Sequence, residues 1–402
     1  MPEETATATD GQRKRINLEP GEGRVIGMVS GMAMLRMLGL FLLLPVLALW
    51  ASGLEGATPM LVGLAVGGYG ITQAVLQVPF GTLSDRIGRI PVIVLGLAVF
   101  AAGSFVAAMS NHILGVIAGR LLQGAGAVSA TLTALLADHT REEIRTRATA
   151  ILGISIGSSF LIALVLGPLV AGVTGVRGLF WLAGIMALSA LALATVLPRG
   201  KPGAHHGEQR RPAGRLTPGV AAIDASIFLL HMMLTASFVA APFLLRDALG
   251  VPMETQWRTY FAALALSLVA TVPLVLLGEK GRGSWIFVLS VALLALGQAL
   301  LWQAADGWIF ALAGLAVFFA GFNYLEARLP ARLSVVAGPS GRGGALGLFY
   351  TSQFLGAFAG GVVGGWLMGV TDYSGVFVAL GGIGVAWLVV TIGLVFGRNP
   401  AL

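Results

Sequence analysis

The amino-acid sequence predicts an all-α membrane protein of 12 transmembrane helices arranged as two pseudo-symmetric six-helix bundles. Three observations carry that prediction. Of 402 residues, 56% are apolar and only 11% charged, against roughly 25% charged in soluble domains, so the chain has too little polar surface to cover itself in water. Polar punctuation cuts it into twelve apolar runs, each near the roughly 20 residues that cross the hydrocarbon layer as a helix. The basic residues fall almost entirely on alternate connections between those runs. A mean hydropathy of +0.88 agrees, and 57 glycines suit helices packed closely in lipid.

The N-terminal tail, residues 1–24, is polar. The first run, 25–50, is too long for a signal-peptide core and no small-residue cleavage site follows it, so it is expected to stay as a helix. Runs 61–83, 91–110, 113–137, 148–173 and 179–197 complete the first bundle, 25–197. Residues 198–219 are rich in Pro, Gly and charge and read as a linker. Its His205–His206 pair has no further ligands nearby in sequence and reads as solvated loop, so no metal site is expected. Runs 221–245, 260–277, 284–304, 308–329, 345–369 and 375–396 make the second bundle, 220–397, with 398–402 as a short C-terminal end.

The tail, the C-terminal end and the even-numbered connections hold 20 of the 25 Lys and Arg, whereas the odd-numbered connections hold three, Arg177, Arg246 and Arg258. Basic loops stay on the cytoplasmic side. Both termini are therefore expected in the cytoplasm, with the chain in a bacterial inner membrane. The net charge of +7 is thus an orientation signal and not a nucleic-acid surface. Two arginines remain, Arg36 and Arg120, and both fall inside predicted spans. There is no cysteine, and no histidine, carboxylate or serine cluster has metal or triad spacing, so an enzyme is not expected.

The two halves carry traces of one ancestor. An offset of 194 residues aligns Pro79, Asp85 and Arg86 with Pro273, Glu279 and Lys280, and "FLIALVLGPLVAG" from Phe160 with "FLGAFAGGVVGGW" from Phe354. Two distant matches at one offset imply a duplicated six-helix unit.

The most specific string is "GTLSDRIGRIP", residues 81–91. It resembles the signature of the major facilitator superfamily, with Gly81, Asp85, Arg86, Gly88 and Arg89 in place. The glycines permit a tight turn and the charges a switchable ion network. The resemblance implies that Asp85 faces the N-terminus of the eleventh helix, and that Arg89 pairs with an acid at the end of the fourth, where Asp138 stands. "RLLQGAGA", with Arg120, Gln123 and Gly124, looks like the fourth-helix motif of the drug:proton antiporters of that superfamily. "LGPLVAG", with Gly167, Pro168 and Gly172, resembles their fifth-helix Gly-Pro motif, although Ala163 and Ala171 stand where glycine is preferred; a helix bend is expected there. "LRMLGLFLLLPVL" from Leu35, "FNYLEARLP" from Phe322 and "TSQFLGAFAGG" from Thr351 extend the likeness to the YajR-type branch, whose members carry a soluble domain after the twelfth helix; the resemblance here is to a transporter without it.

The resemblance implies a secondary active transporter with no cofactor, driven by the proton gradient, most simply an efflux antiporter of lipophilic or cationic small molecules. A symporter or facilitator for a nutrient or metabolite is the alternative. Its partners would be a small-molecule substrate, protons and the lipid bilayer, with the protein a monomer. Coupling needs a group that exchanges protons inside the membrane. Glu326 reads as that carrier or as half of an ion pair with Arg328 or another arginine. His231 reads as a core histidine or a proton carrier, and Asp224 as an interfacial residue that helps set a helix end. Arg36, near mid-membrane, reads as a cavity charge meeting an anionic substrate or carboxylate, or as a structural pair. Gln73, Gln77, Asn323, Tyr324 and Gln353 are cavity candidates, with interhelical hydrogen bonding as the competing reading.

Overall fold

A computed structural model describes residue 19 and residues 21–197 and 217–396, apart from the side chains of 339–343 and 396. Most of the tail, most of the linker with His205 and His206, and the C-terminal end lie outside the described residues. Among those described, no β-strand forms; one isolated bridge joins Glu55 to His112.

The first crossing is α1 (Glu22–Phe41), a turn at 42–46 and α2 (Leu47–Ala51). The unbroken helix expected over 25–50 is interrupted because Pro45 lacks an N–H and disfavours the helical region for the residue before it. The second crossing is α3 (Pro59–Gly67) followed by α4 (Tyr69–Ile87). Thr58 caps it, its hydroxyl accepting from the Leu61 N–H, with Pro59 at the first helical position. At Gly88 the backbone turns to φ 96°, a conformation that favours glycine, and α5 (Arg89–Met109) returns across the membrane.

The fourth crossing is also broken. Its parts are α6 (Ile113–Ala125) and α7 (Ser129–Asp138), separated where Gly126 leaves the helical region at φ −71°, ψ 47°. Next comes α8 (Glu142–Thr195), 54 residues long. At 1.5 Å per residue that is roughly 80 Å, more than twice the hydrocarbon thickness, and it divides at Gly175, the one residue inside it with non-helical dihedrals. Backbone dihedrals stay helical through Pro168, so the fifth and sixth crossings part at Gly175 and not at the Gly-Pro motif.

In the second half, α9 (Pro218–Phe243), α10 (Gln256–Leu277), α11 (Gly283–Trp302), α12 (Trp308–Val336), α13 (Gly338–Val370) and α14 (Tyr373–Phe396) are the seventh to twelfth crossings. The apolar stretch Met253–Asp306, again 54 residues, divides at Lys280 and Gly281. Ten long apolar helical stretches thus make twelve crossings among the described residues. The tenth helix outruns its expected end at 329 by seven residues, passing through Pro330.

The internal repeat is visible in the packing. A Cβ on Gly103 would lie 2.6 Å from the Gly119 carbonyl oxygen, joining the third and fourth crossings; one on Gly297, its counterpart at the 194-residue offset, would lie 2.9 Å from that of Gly314, joining the ninth and tenth. The halves meet along the second and eleventh crossings. There a Cβ on Gly67 would lie 2.7 Å from the Ala357 carbonyl oxygen, one on Gly365 2.7 Å from that of Pro59, and Gly63 and Gly70 pack as closely against Gly361 and Phe354. Residues 59–67 and 361–369 belong to the ends that carry the odd-numbered connections, so the halves are locked there. On the side of the termini, positions Gly27, Gly31, Gly81, Gly153, Gly157 and Gly347 have open space where a Cβ would stand.

Candidate functional site

At the terminus-side end of α4, Arg89 forms an ion pair with Asp85, donates from Nε to Asp138 Oδ2 at 2.9 Å and from Nη1 to Ser84 Oγ at 2.7 Å. Gly88 supplies the turn that brings Arg89 back over the last turn of α4. Asp85 is largely exposed, so in this conformation its ion pair is with Arg89; Arg86 is exposed as well, and Gly81 faces open space. A second ionic cluster lies beside this one: Arg141 grips Glu22 from Nε and Nη2, both at 3.1 Å, and Glu19 at 3.1 Å. The Glu22 carboxylate raises the Arg141 guanidinium above its usual range. The first five crossings are tied at one face by these charges.

The two intramembrane arginines differ sharply in their surroundings. Arg120 Nε and Nη2 donate to the carbonyls of Ala65 and Val66, each at 3.1 Å, and Nη1 donates to Gln123 Oε1 at 2.7 Å. Those carbonyls belong to the last turn of α3, just ahead of Gly68, where it is divided from α4. Arg120 is therefore a cap, and its charge sits at the negative end of the helix dipole. Gln123 passes the network on to Ser104 Oγ at 2.8 Å, and the guanidinium lies 4.7 Å from the Tyr69 ring centroid. Gly124 lets α6 approach the backbone at Tyr69, and Gly167 lets α8 approach that at Leu42. Pro168 is buried beside Gly167, while a Cβ on Gly172 would come within 3.2 Å of Glu254 from the other half.

Arg36 is 1% exposed and has no carboxylate among its partners. Its Nη2 donates to Gln73 Oε1 at 3.0 Å, and Nη1 to Ser129 Oγ at 3.3 Å and to Met37 Sδ at 3.4 Å. The Phe100 ring centroid lies 5.5 Å away. Gln77, one turn beyond Gln73, is buried with neither amide atom hydrogen-bonded among the described residues.

The second half holds a cluster of opposite character. Gln353 Nε2, on α13, lies 2.8 Å from His231 Nε2 on α9 and 3.1 Å from Glu326 Oε1 on α12; His231 Nε2 stands 3.7 Å from Glu326 Oε2. His231 Nδ1 faces the Ile227 carbonyl at 3.3 Å. A carbonyl only accepts, so Nδ1 carries the proton and Nε2 is left to accept from the Gln353 amide, which donates its other hydrogen to Glu326. This arrangement suits a neutral imidazole, with Glu326 Oε1 accepting from the amide and Glu326 Oε2 left without a hydrogen-bond partner among the described residues. The Glu326 side chain is 39% exposed, so the cluster has an open edge, and Phe322 packs on the His231 ring at 5.8 Å. Phe322 also meets Phe160 of the first half at 5.9 Å, and Phe160 meets Phe41 at 5.4 Å, which places an aromatic bridge between the halves beside the cluster.

The other candidates separate. Asn323 donates to Ser267 Oγ at 3.3 Å, positions that correspond to Ser129 and Gln73 at the 194-residue offset. Tyr324 points away, its hydroxyl 3.5 Å from the Gly283 carbonyl at the start of α11. Asp224 is buried two turns from His231 toward the terminus side of α9, and neither carboxylate oxygen has a hydrogen-bond partner among the described residues. Ser129 and Ser104 are participants that the sequence does not mark as site residues. The serines are common helix residues, and only the break at Gly126 and the crossing of the third and fourth helices give them their roles.

Comparison with known proteins agrees with this architecture. The family profile described as Major Facilitator Superfamily matches residues 29–226. The chain is 42% identical over 380 residues to the inner membrane transport protein YajR of Escherichia coli, covering 93% of this chain and 84% of that protein. It is 26% identical over 391 residues to the multidrug resistance protein MdtH of Aeromonas salmonicida, covering 92% and 95%. The crystal structure of the nucleoside transporter NupG superposes with a TM-score of 0.70 at 14% identity, covering 93% of this chain and all of that one, a likeness of fold. Twelve crossings, an internal two-fold repeat, the Asp85–Arg89–Asp138 cluster and a 42% identical transporter lead to one assignment: the chain belongs to the major facilitator superfamily and is a multi-pass membrane transporter.

Proposed function

We propose that this transporter is a proton-coupled efflux antiporter of lipophilic or cationic small molecules, working by alternating access in an inner membrane with both termini in the cytoplasm. The observation that carries the coupling is the Glu326–His231–Gln353 cluster. It joins three helices of one half, contains both a carboxylate and an imidazole, and has an open edge. A proton arriving on His231 Nε2 would set two donors face to face across 2.8 Å, so the Gln353 amide must turn or Glu326 must move onto the imidazolium. Either response changes how α9, α12 and α13 are tied together. Protonation of Glu326 removes the same tie from the other side. The likeness to multidrug resistance protein MdtH supports the cargo class, and the dense glycine contacts at one end of the halves support a molecule closed on that side.

A proton returning inward yields about 2.3 kcal/mol per 100 mV of potential and about 1.4 kcal/mol per pH unit. That sustains a useful export gradient provided the two movements cannot occur separately, which rocking of the halves about a central site ensures. The test is purified protein in liposomes with a panel of fluorescent lipophilic cations, anions and neutral dyes, with and without an imposed pH gradient. Movement that follows the gradient and disappears with an uncoupler is the expected result; movement indifferent to the gradient would sink the antiport reading.

A further inference from the structure

Burying a guanidinium costs several kcal/mol unless its donors are met and its charge is balanced. Arg120 is met at every nitrogen and lies at the negative end of a helix. Arg36 is the reverse in each respect. Its Nε has no hydrogen-bond partner among the described residues. Its Nη1 reaches Ser129, the first residue of α7, so the cation lies against the positive end of a ten-residue helix, where backbone N–H groups emerge and negative charge is favoured. Gln73, which accepts from Arg36, keeps its own Nε2 without a hydrogen-bond partner among the described residues, and so does the whole amide of Gln77, one turn further along α4, each residue no more than 2% exposed.

Among the described residues no carboxylate pairs with this charge. The described acids of the first half lie at helix ends, in connections or before α1: Glu19 ahead of α1, Glu22 and Asp85 in terminal turns, Asp138 ending α7, Glu142 and Glu143 opening α8, Glu55 in the first connection. Ser129 is partly exposed and gives the group an edge toward open space, while Phe100, Met37 and Leu40 supply apolar walls.

We infer that Arg36, Gln73 and the Ser129 end of α7 form a binding site for an anionic group, a carboxylate or sulfonate, borne by the transported molecule. This rests on the reading of the chain as an efflux transporter and narrows its cargo to lipophilic molecules with a negative group, since the site repels one whose only charge is positive. The cargo site and the proton site then lie in different halves. Export of a monoanion against entry of one proton moves two charges in the same sense, so an inside-negative potential accelerates it.

Three ligands of one shape separate the outcomes: 1-naphthoate, neutral 1-naphthamide and cationic 1-naphthylmethylammonium, with chloride as the inorganic anion. Binding is read by thermal protection of the full-length protein in detergent with a non-coordinating buffer. Naphthoate is expected to protect at concentrations roughly tenfold or more below those needed for naphthamide, the scale of hydrogen bonds to a charged group. Arg36→Met should abolish the difference and Arg36→Lys retain part of it. Gln73→Leu, which leaves the charge in place, should weaken naphthoate alone and serves if Arg36→Met does not fold. Equal protection by naphthoate and naphthamide in the wild type, or by chloride at the same concentrations, overturns the inference; so does an unchanged naphthoate response in Arg36→Met or Gln73→Leu. Proton-driven export is measured separately in liposomes. Arg36-dependent naphthoate binding without proton-driven movement would sink the antiport reading and leave this site standing, and proton-driven export of naphthylmethylammonium with no naphthoate effect would do the opposite.

Discussion

His231 and Glu326 stand 3.7 Å apart across the seventh and tenth crossings, and they are joined less by that distance than by the Gln353 amide, which hydrogen-bonds to both. A direct ion pair at that separation would be a static brace. An amide held between an acceptor nitrogen and a carboxylate is different, because its two ends are chemically unlike and each protonation state favours a different orientation.

Replacing Glu326 with Gln should therefore uncouple the transporter without unfolding it. We expect gradient-driven transport of Glu326→Gln to fall at least about tenfold while substrate exchange at equal pH survives, since the neutral amide resembles the protonated acid. Retention of a normal pH dependence in liposomes would remove Glu326 from the coupling step.

Gln353→Leu keeps both titrating groups and removes only the link between them. Transport should persist with a pH profile displaced from that of the wild type, because the imidazole loses the donor that holds its Nε2 as an acceptor. A profile identical to the wild type would mean that the amide is passive.

At the terminus face, Asp85→Asn removes one carboxylate from Arg89 but leaves Asp138. Ion pairs this exposed are worth about 1 kcal/mol or less, so folding should barely change. The turnover rate should change several-fold through the balance between the two conformations, with substrate affinity in detergent spared. A large loss of affinity would contradict a switching role.

The seam between the second and eleventh crossings predicts a conformational bias. A Cβ at position 67 would lie 2.7 Å from the Ala357 carbonyl oxygen, closer than backbone and side chain can share, so Gly67→Val should pry the halves apart at the end of the odd-numbered connections. Because the sequence has no cysteine, a single Thr58→Cys reports on this end directly. Labelling by a membrane-impermeant maleimide should be faster with Gly67→Val than without it; an unchanged rate would show that the seam does not close that side.

Arg120→Lys tests the cap. An ammonium has no planar fork to span two carbonyls and an amide oxygen, and hydrogen bonds from charged donors contribute about 1.5–3 kcal/mol each. Thermal unfolding of Arg120→Lys should be clearly lowered, and more than that of Arg36→Lys, whose parent makes fewer and longer bonds.

The crossings themselves were legible in the sequence because a hydrocarbon layer imposes one length and one polarity on every segment that spans it. The breaks were less so: Pro45 interrupts the first crossing while Pro168, Pro242 and Pro330 ride within helices, since neighbouring helices decide whether a freed carbonyl finds another donor. The signature residues Asp85 and Arg89 are neighbours in the sequence, whereas Asp138 meets Arg89 from 49 residues away, a contact that the packing of the helices makes.

By itself, then, the sequence determined the solvent, the number of crossings, the basic face, the repeat and the short supply of ionisable groups within the membrane. Only the tertiary structure decided what those groups are to one another. Arg36 and Arg120 are alike as letters in apolar runs, yet one caps the negative end of a broken helix and the other faces the positive end of a second. Glu326, His231 and Gln353 come from three helices and meet only when those helices pack. Hydrophobicity acts on each residue singly and can be read one residue at a time. Electrostatics and hydrogen bonding act between residues, and in a chain of 402 the partners are chosen by the fold.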